Sequence, residues 1–501
     1  MNTARSRDAR AFTDVPSEGP DRERAALSRG DLWFALGLFA LALALRASVV
    51  LALGVEPTWD GAFYHRGALS IAEGNGYSEP VVIDGQPGRA PWSHYPVGYS
   101  AFIGAVYAAF GSGQASAPLA NAVIGALTAA LTFVFALEIL GRRRARVAGV
   151  LVALHPGLVL YCALVMTEPL AGFLVLLTGY LARKVGKYRF GGIASGIALA
   201  AGAFVRPQSL LTAPLLLLLF PGSLRRRFGQ SALAGATCVA LLVPWTIRNC
   251  AVLDGCAIIS TNGGWNLAIG ALSETGRFRA LTPDDGCAGI DGPVAQDRCW
   301  GERGLEAIRE DPWRWLGHIP DKLRHTYNHE SFAVAYLAEA RHGQWDRDHT
   351  WRIMNIMTAL HHVLMLAAAF GLVGRFSRRR WREQWGPIAW LSAIALFAAY
   401  ALSVPERPLF WVGVLLPMIG LIRLPGAPPL DRGFYYLLGL LAITSLTHMI
   451  FFGDDRYHLA VSPVFCILAA AAFRRPRAAP ARESTGNRAS LAPATEPAPQ
   501  S

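Results

Sequence analysis

Of 501 residues 53% are hydrophobic and 16% charged, with a mean hydropathy of +0.31, whereas soluble domains run near a quarter charged. That balance excludes a string of soluble domains and describes a chain whose helices mostly face lipid or one another. The formal charge of +12 excludes little by itself, but Lys and Arg fall in short runs between apolar segments, which argues against nucleic-acid binding and matches the positive-inside pattern of cytoplasmic loops.

Residues 1–30 mix both charges with Gly, Pro and Ser, and residues 475–501 are rich in Pro, Ala and Arg; both are expected to be disordered cytoplasmic tails. The first apolar run, 31–54, is long enough to cross a bilayer and follows a long polar stretch, so it reads as an uncleaved signal anchor. Further spans are expected near 117–140, 147–166, 168–182, 190–205, 208–221, 229–247, 353–374, 386–403, 408–422, 434–452 and 457–473. That makes about twelve helices within 31–474, an all-α polytopic membrane fold. Several are near 15 residues, short of the roughly 20 that cross the hydrocarbon core, and so imply broken or tilted helices.

The short apolar stretch 97–111 reads as a juxtamembrane or re-entrant helix, which leaves 55–116 as a first outer region. Alternating from there, the basic runs Arg142–Arg146, Arg183–Arg189, Arg225–Arg227, Arg375–Arg382, Arg423–Arg432 and Arg474–Arg482 all fall inside, with both termini cytoplasmic in a multi-pass inner membrane protein. Residues 249–352 hold 11 Lys and Arg against 15 Asp and Glu and are assigned to a large outer loop. No internal repeat of the transporter kind is evident.

Cys162, Cys238 and Cys466 lie in apolar segments, while Cys250, Cys256, Cys287 and Cys299 lie in the outer loop. Four cysteines in an oxidising compartment allow two disulfides in three connectivities, with Cys287–Cys299 preferred. No C-x-x-C spacing points to zinc.

Candidate chemistry gathers at the outer ends of the spans. In EPTWDGAFYHRGALSIAEGNGY a helix from Gly61 to Glu73, stopped by Gly74, presents Asp60 at its mouth with Tyr64 on the same face; the plain structural alternative makes Asp60 the helix cap. Glu168, in LVMTEPL, stands where an ionisable group at membrane depth marks function by default; the alternative is a helix break capped by Thr167 with Pro169 in its first turn. Two such carboxylates suit proton abstraction from an acceptor hydroxyl or amine, or could hold a divalent cation. Arg206 in FVRPQ, Arg248 in PWTIRN and Arg456 in GDDRYH lie on the same face, where a guanidinium fork matches a phosphate; each could instead snorkel to the headgroups.

ISTNGGWNLAIG suits a tight turn approaching a ligand or another backbone. Trp313, Leu316, Ile319 and Leu323, with Trp315 beside them, form a stripe typical of a helix on the membrane surface rather than a sugar platform. His318, His325, His329, His342 and His349 lack the spacing of a metal motif.

The ordered set WDGAFYHRGALSIAEGNGY, YPVGYSAFIGAVYAAFG, TEPLAGFLVLL, FVRPQSLL, PWTIRN with ISTNGGWNLAIG, and FFGDDRYHLAVSPV, spanning about residues 55–470, resembles the GT-C superfamily of membrane glycosyltransferases, which includes protein O-mannosyltransferases and bacterial aminoarabinose transferases. The resemblance implies a GT-C-like helix bundle and a sugar donor on polyprenyl or dolichyl phosphate, transferred with inversion. It also implies a catalytic aspartate in the first outer loop, matched by Asp60, and a second acidic residue after the third span, matched by Glu168. Arg206, Arg248 and Arg456 would bind the donor phosphate, and Tyr64, His65, His94, Tyr95, Tyr99, Asn262, Asn266 and Tyr457 would line the substrate pocket. The acceptor would be a glycan, lipid or protein, and nucleic acid is not a partner. Two departures stand out. His94 and Tyr95 replace an acidic and a basic residue of the aminoarabinose transferases, which would shift that phosphate contact to Arg456 or Arg206. Asp60 is followed by Gly61 rather than by Glu, which weakens the case for a metal site built on an Asp-Glu pair. A transporter or flippase of a lipid-linked solute is the alternative, and a ligase acting on a lipid-linked glycan a third reading.

Overall fold

The computed structural model describes residues 27–83, 85–341, 345–373, 392 and 430–472. Helix α1 (Arg29–Leu53) opens with a capping box in which Ser28 and Asp31 satisfy each other's end. Helix α2 (Trp59–Ala72) and a hairpin of β1 (Ser78–Ile83) and β2 (Gln86–Pro91) follow, then α3 (Val97–Phe110) and α4 (Ser116–Leu140). Helices α5 (Arg142–Leu154) and α6 (Pro156–Leu160) meet at a 52° bend at His155, where Pro156 cannot continue the ladder. Next come α7 (Glu168–Val185), α8 (Gly191–Val205), a 3-10 turn Pro207–Leu215 with α9 (Leu216–Leu219), and α10 (Leu224–Val252). The segment between α10 and the next long apolar helix folds into α11 (Gly263–Leu272), α12 (Pro293–Glu310), α13 (Pro312–Gly317), α14 (Ile319–Tyr327) and α15 (Phe332–Ala340), and the chain re-enters the bundle in α16 (Arg347–Val373). Helix α17 (Arg432–Ile450), a 3-10 turn Asp455–Val461 and α18 (Ser462–Ala471) complete the described part.

Among the described residues five helices are long and apolar enough to cross a membrane, six if the bent α5–α6 pair counts as one span. The described residues do not confirm the expected twelve: within them 190–205 and 208–221 are short apolar helices, and 457–473 starts as a 3-10 turn. The expected spans 386–403 and 408–422, the basic runs at 375–382 and 474–482, most of that at 423–432, and nearly all of both tails lie outside the described residues. The hairpin, which the sequence did not announce, pairs Ser78 with Pro91 through Ile83 with Gln86.

Ion pairs gather the basic runs at one end of the bundle. Arg142 forks onto Asp31 at 2.7 Å through both nitrogens, Arg183 onto Asp431 at 2.7 and 3.0 Å, and Lys184 meets Glu138. Inside the bundle the fully buried Arg46 donates to the carbonyls of Val152 and Ala153 at 2.9 Å each, which satisfies the end of α5 where the bend frees it. Cys250–Cys256 and Cys287–Cys299 form disulfides, so the preferred pair forms. The Trp313 stripe is not one helix: it breaks at His318 between α13 and α14, leaving Trp313 80% exposed and Leu323 buried.

Candidate active site

Asp60 stands in the first turn of α2, but Thr58 occupies the cap position, so the carboxylate is free for other partners. Its Oδ1 accepts from the Tyr95 hydroxyl at 2.8 Å and its Oδ2 from Arg456 Nη1 at 2.6 Å. The preceding residue, Trp59, adopts a left-handed φ of +47°, a conformation that costs about 1–3 kcal/mol for a non-glycine. Its ring is held edge-on at 5.5 Å from both Phe332 and Tyr336, and Tyr336 Oη accepts from the Thr58 amide at 2.8 Å. At Gly61 a Cβ would lie 2.3 Å from Tyr336 Oη and 2.9 Å from Val165 O. Only glycine lets the start of α2 approach this closely.

Glu168 begins α7 with its side chain 1% exposed. Arg206, at the end of α8, donates to it, and also to Thr167 Oγ1 at 3.0 Å. Thr167 is the cap residue without a cap hydrogen bond; its hydroxyl serves the arginine instead. The two acid–arginine pairs meet on one ring: Arg206 lies 5.4 Å and Arg456 4.9 Å from the Tyr457 centroid, and Arg456 Nη2 donates to Tyr457 Oη at 3.1 Å. Tyr457 is fixed by stacking on His448 at 4.0 Å.

Burial pushes the Asp60 carboxyl up, but the Arg456 guanidinium and the Tyr95 hydroxyl favour the anion more, so its pKa lies below the ordinary 3.8. Burial opposes the charge on Arg456, yet Tyr457, Asp60 and Asp454 around it hold its pKa above the usual value. Each carboxylate is thus already matched by a guanidinium, an arrangement that does not fit a divalent cation between Asp60 and Glu168.

Several other expected site residues pack here. Tyr64 lies 5.2 Å from Tyr95 and 5.3 Å from Tyr99, and Tyr99 Oη accepts from Asn121 at 2.8 Å. His94 packs edge-on to Tyr95 at 4.9 Å and to Trp265 at 5.3 Å, and burial lowers its pKa against the pull of Asp60. Others face elsewhere. His65 turns to Tyr107 Oη at 2.8 Å. Asn262 and Asn266 make local bonds at the start of α11, and the nearby Gly264 lets that helix approach the Asp297 carbonyl, 1.9 Å from where a Cβ would sit. Arg248 spends its guanidinium on the carbonyls of Trp92 and Tyr77 and on Asn249, at 3.1, 2.8 and 3.0 Å; it clamps the hairpin base and does not join the Asp60–Glu168 network. Sequence reasoning missed Trp265, although it lies within ISTNGGWNLAIG, and also Tyr336 and His448, which carry no motif of their own.

A groove opens between α7, the Pro207–Leu215 turn, α17 and the Asp455–Val461 turn. Arg206, Gln208, His448 and Tyr457 line it together with Ala171, Val175, Leu440, Ile443 and Val461. Such a lining suits an amphipathic ligand with an anionic head.

The family model described as dolichyl-phosphate-mannose-protein mannosyltransferase matches residues 94–247, a stretch that contains YPVGYSAFIGAVYAAFG, TEPLAGFLVLL and FVRPQSLL. No curated protein matches the chain. Among solved structures, the chain is similar to the Archaeoglobus fulgidus oligosaccharyltransferase tethered to an acceptor peptide, at 12% identity and a TM-score of 0.43, covering 87% of this chain and 49% of that one. It is also similar to ArnT from Cupriavidus metallidurans bound to undecaprenyl phosphate, at 13% identity and a TM-score of 0.36, covering 87% and 76%. The chain spans about half the length of the archaeal enzyme.

Proposed function

We propose that this protein transfers a glycosyl group from a polyprenyl-phosphate-linked sugar to an acceptor at the outer face of the cytoplasmic membrane, with inversion at the anomeric carbon. The observation that carries the reading is the meeting of the pairs Asp60–Arg456 and Glu168–Arg206 on the ring of Tyr457, beside a groove with both apolar walls and a guanidinium. The donor class named by the matching family model supports the same choice.

In the reaction an acceptor O–H or N–H attacks the anomeric carbon. Its proton passes to the Asp60 carboxylate, the bond from that carbon to the phosphate oxygen breaks, and the electron pair leaves on the phosphate. Arg456 and Arg206 hold the leaving group, whose charge grows in the transition state, so positioning and electrostatics supply most of the acceleration. Arg456 has a second consequence. An incoming phosphate competes with Asp60 for its guanidinium, and as that contact loosens, the burial that raises the Asp60 pKa is less opposed. Donor binding thereby makes Asp60 a better base. Glu168 keeps Arg206 oriented at the groove.

Binding of undecaprenyl phosphate to the purified protein, read by native mass spectrometry, tests this. Arg456→Ala should weaken it by about 10- to 100-fold, the worth of a charge-assisted hydrogen bond. Equal affinity in that variant would contradict the role of Arg456.

A further inference from the structure

Behind the candidate active site lies a second cluster that the proposed reaction does not use. His155 at the α5–α6 bend, Glu330 between α14 and α15, and His361 in α16 are all buried, and one ligand atom from each lies within 4.8 Å of the others. His361 Nε2 faces the Tyr327 carbonyl at 2.9 Å, so the neutral ring carries its proton there and its lone pair on Nδ1. That Nδ1 has no hydrogen-bond partner and stands 3.4 Å from Glu330 Oε2. Two electron-rich atoms facing each other in a buried site are unfavourable unless a proton or a metal cation lies between them, and with Nε2 already donating to Tyr327 a proton there would make His361 a buried imidazolium. Their separation is also the edge of a tetrahedron with bonds of about 2.1 Å to zinc.

The surroundings are built for the carboxylate. A Cβ at Gly157 would lie 1.8 Å from Glu330 Oε1, so glycine alone admits it there. His458 Nε2 meets Glu330 Oε2 at 3.0 Å while its Nδ1 faces the Thr326 carbonyl at 2.6 Å, and its ring stacks on that of His361 at 4.3 Å, which orients both the carboxylate and the imidazole.

We propose that His155, Glu330 and His361 bind one divalent transition-metal ion, His155 giving up the 3.2 Å bond that its Nδ1 accepts from the Leu158 amide, with zinc favoured by the pair of imidazoles and one carboxylate. The ion has a structural role. It ties the bend, the end of the outer loop and α16 to Glu330, and through His458 to the turn that carries Arg456 and Tyr457 two and one residues earlier. Asp455 of the same turn accepts from the Phe332 amide at 2.9 Å, closing the brace. The site is separate from Asp60 and Glu168, and its failure would leave the proposed transfer reaction standing.

Elemental analysis of the full-length protein, purified in detergent without chelator, tests this. One zinc per chain is expected, retained in Asp60→Asn and lost in His361→Ala. Because His361→Ala could fail to fold, the wild-type protein is also stripped with a chelator and reloaded with zinc alone, which should lower the Tm by several degrees and then restore it. A wild-type protein that carries no stoichiometric metal as purified or after zinc is added back would overturn the proposal, as would full zinc in a folded His361→Ala variant.

Discussion

Replacing Asp60 by Asn separates the chemical role of the carboxylate from its packing. The amide keeps an oxygen for the Tyr95 hydroxyl, now 2.8 Å from Oδ1, but loses the charge that faces Arg456 at 2.6 Å. A hydrogen bond to a charged group contributes about 1.5–3 kcal/mol, and Arg456 retains Tyr457 at 3.1 Å, so the loss in stability should fall at the lower end. Turnover should fall by about 10²–10⁴-fold, the usual worth of a general base, which is about 3–5 kcal/mol in the barrier. Affinity for undecaprenyl phosphate should stay equal or rise, because a neutral amide no longer competes for Arg456. Single-turnover transfer and lipid binding measured on the same preparation give all three signs. Transfer within about threefold of the wild type would refute the base assignment, and lipid binding lost together with turnover would reduce Asp60 to a structural partner of Arg456.

Arg206→Ala strands the Glu168 carboxylate, 1% exposed, and should cost about 3–5 kcal/mol, whereas Glu168→Gln leaves Arg206 13% exposed and still bonded to Thr167 at 3.0 Å and should cost less; thermal unfolding in detergent ranks the two. The folded pKa of Asp60 lies below 3.8, so its contribution to stability is present above about pH 4 and lost as pH falls through the folded value. In kinetics the acid limb of kcat/KM should therefore lie below pH 3.8, with the limb of kcat, which reports the donor-bound enzyme, at higher pH; coincident limbs would exclude competition for Arg456. Gly61→Ala would press a methyl group to 2.3 Å from Tyr336 Oη and should cost about 1–3 kcal/mol, visible as a lowered Tm that Tyr336→Phe partly relieves.

What could be read from the chain alone follows from which forces are local. Helix α2 was legible because Gly74, at φ +79°, stops it, and the long spans because lipid demands continuous apolar runs. The gathering of Asp60, Glu168, Arg206 and Arg456 was legible as charge at span ends that retention in the cytoplasm does not explain. The pairing among them was not, since Arg456 lies 396 residues from Asp60 and only packing selects it. Arg248 shows the converse: nothing in PWTIRN distinguishes a phosphate ligand from a clamp on the Trp92 and Tyr77 carbonyls. The hairpin was missed because Pro80, Pro87 and Pro91 deny it the alternating β-branched pattern of a strand, leaving Asp84-Gly85 as its sequence cue. His155, Glu330 and His361 come from three separated segments, so no spacing could reveal them. The short helices between 190 and 221 depart from full spans because Pro207 and Pro214 interrupt the ladder there.

The central claim is that sugar leaves a polyprenyl phosphate in this site. Mass spectrometry of glycan and lipid extracts from cells with the gene, without it, and with only the Asp60→Asn form tests it most directly. The account predicts that one acceptor loses a hexose or pentose and that the unconsumed polyprenyl-phosphate sugar accumulates, equally in the deletion and in Asp60→Asn. Unchanged glycans in the deletion, or full glycosylation restored by Asp60→Asn, would contradict it.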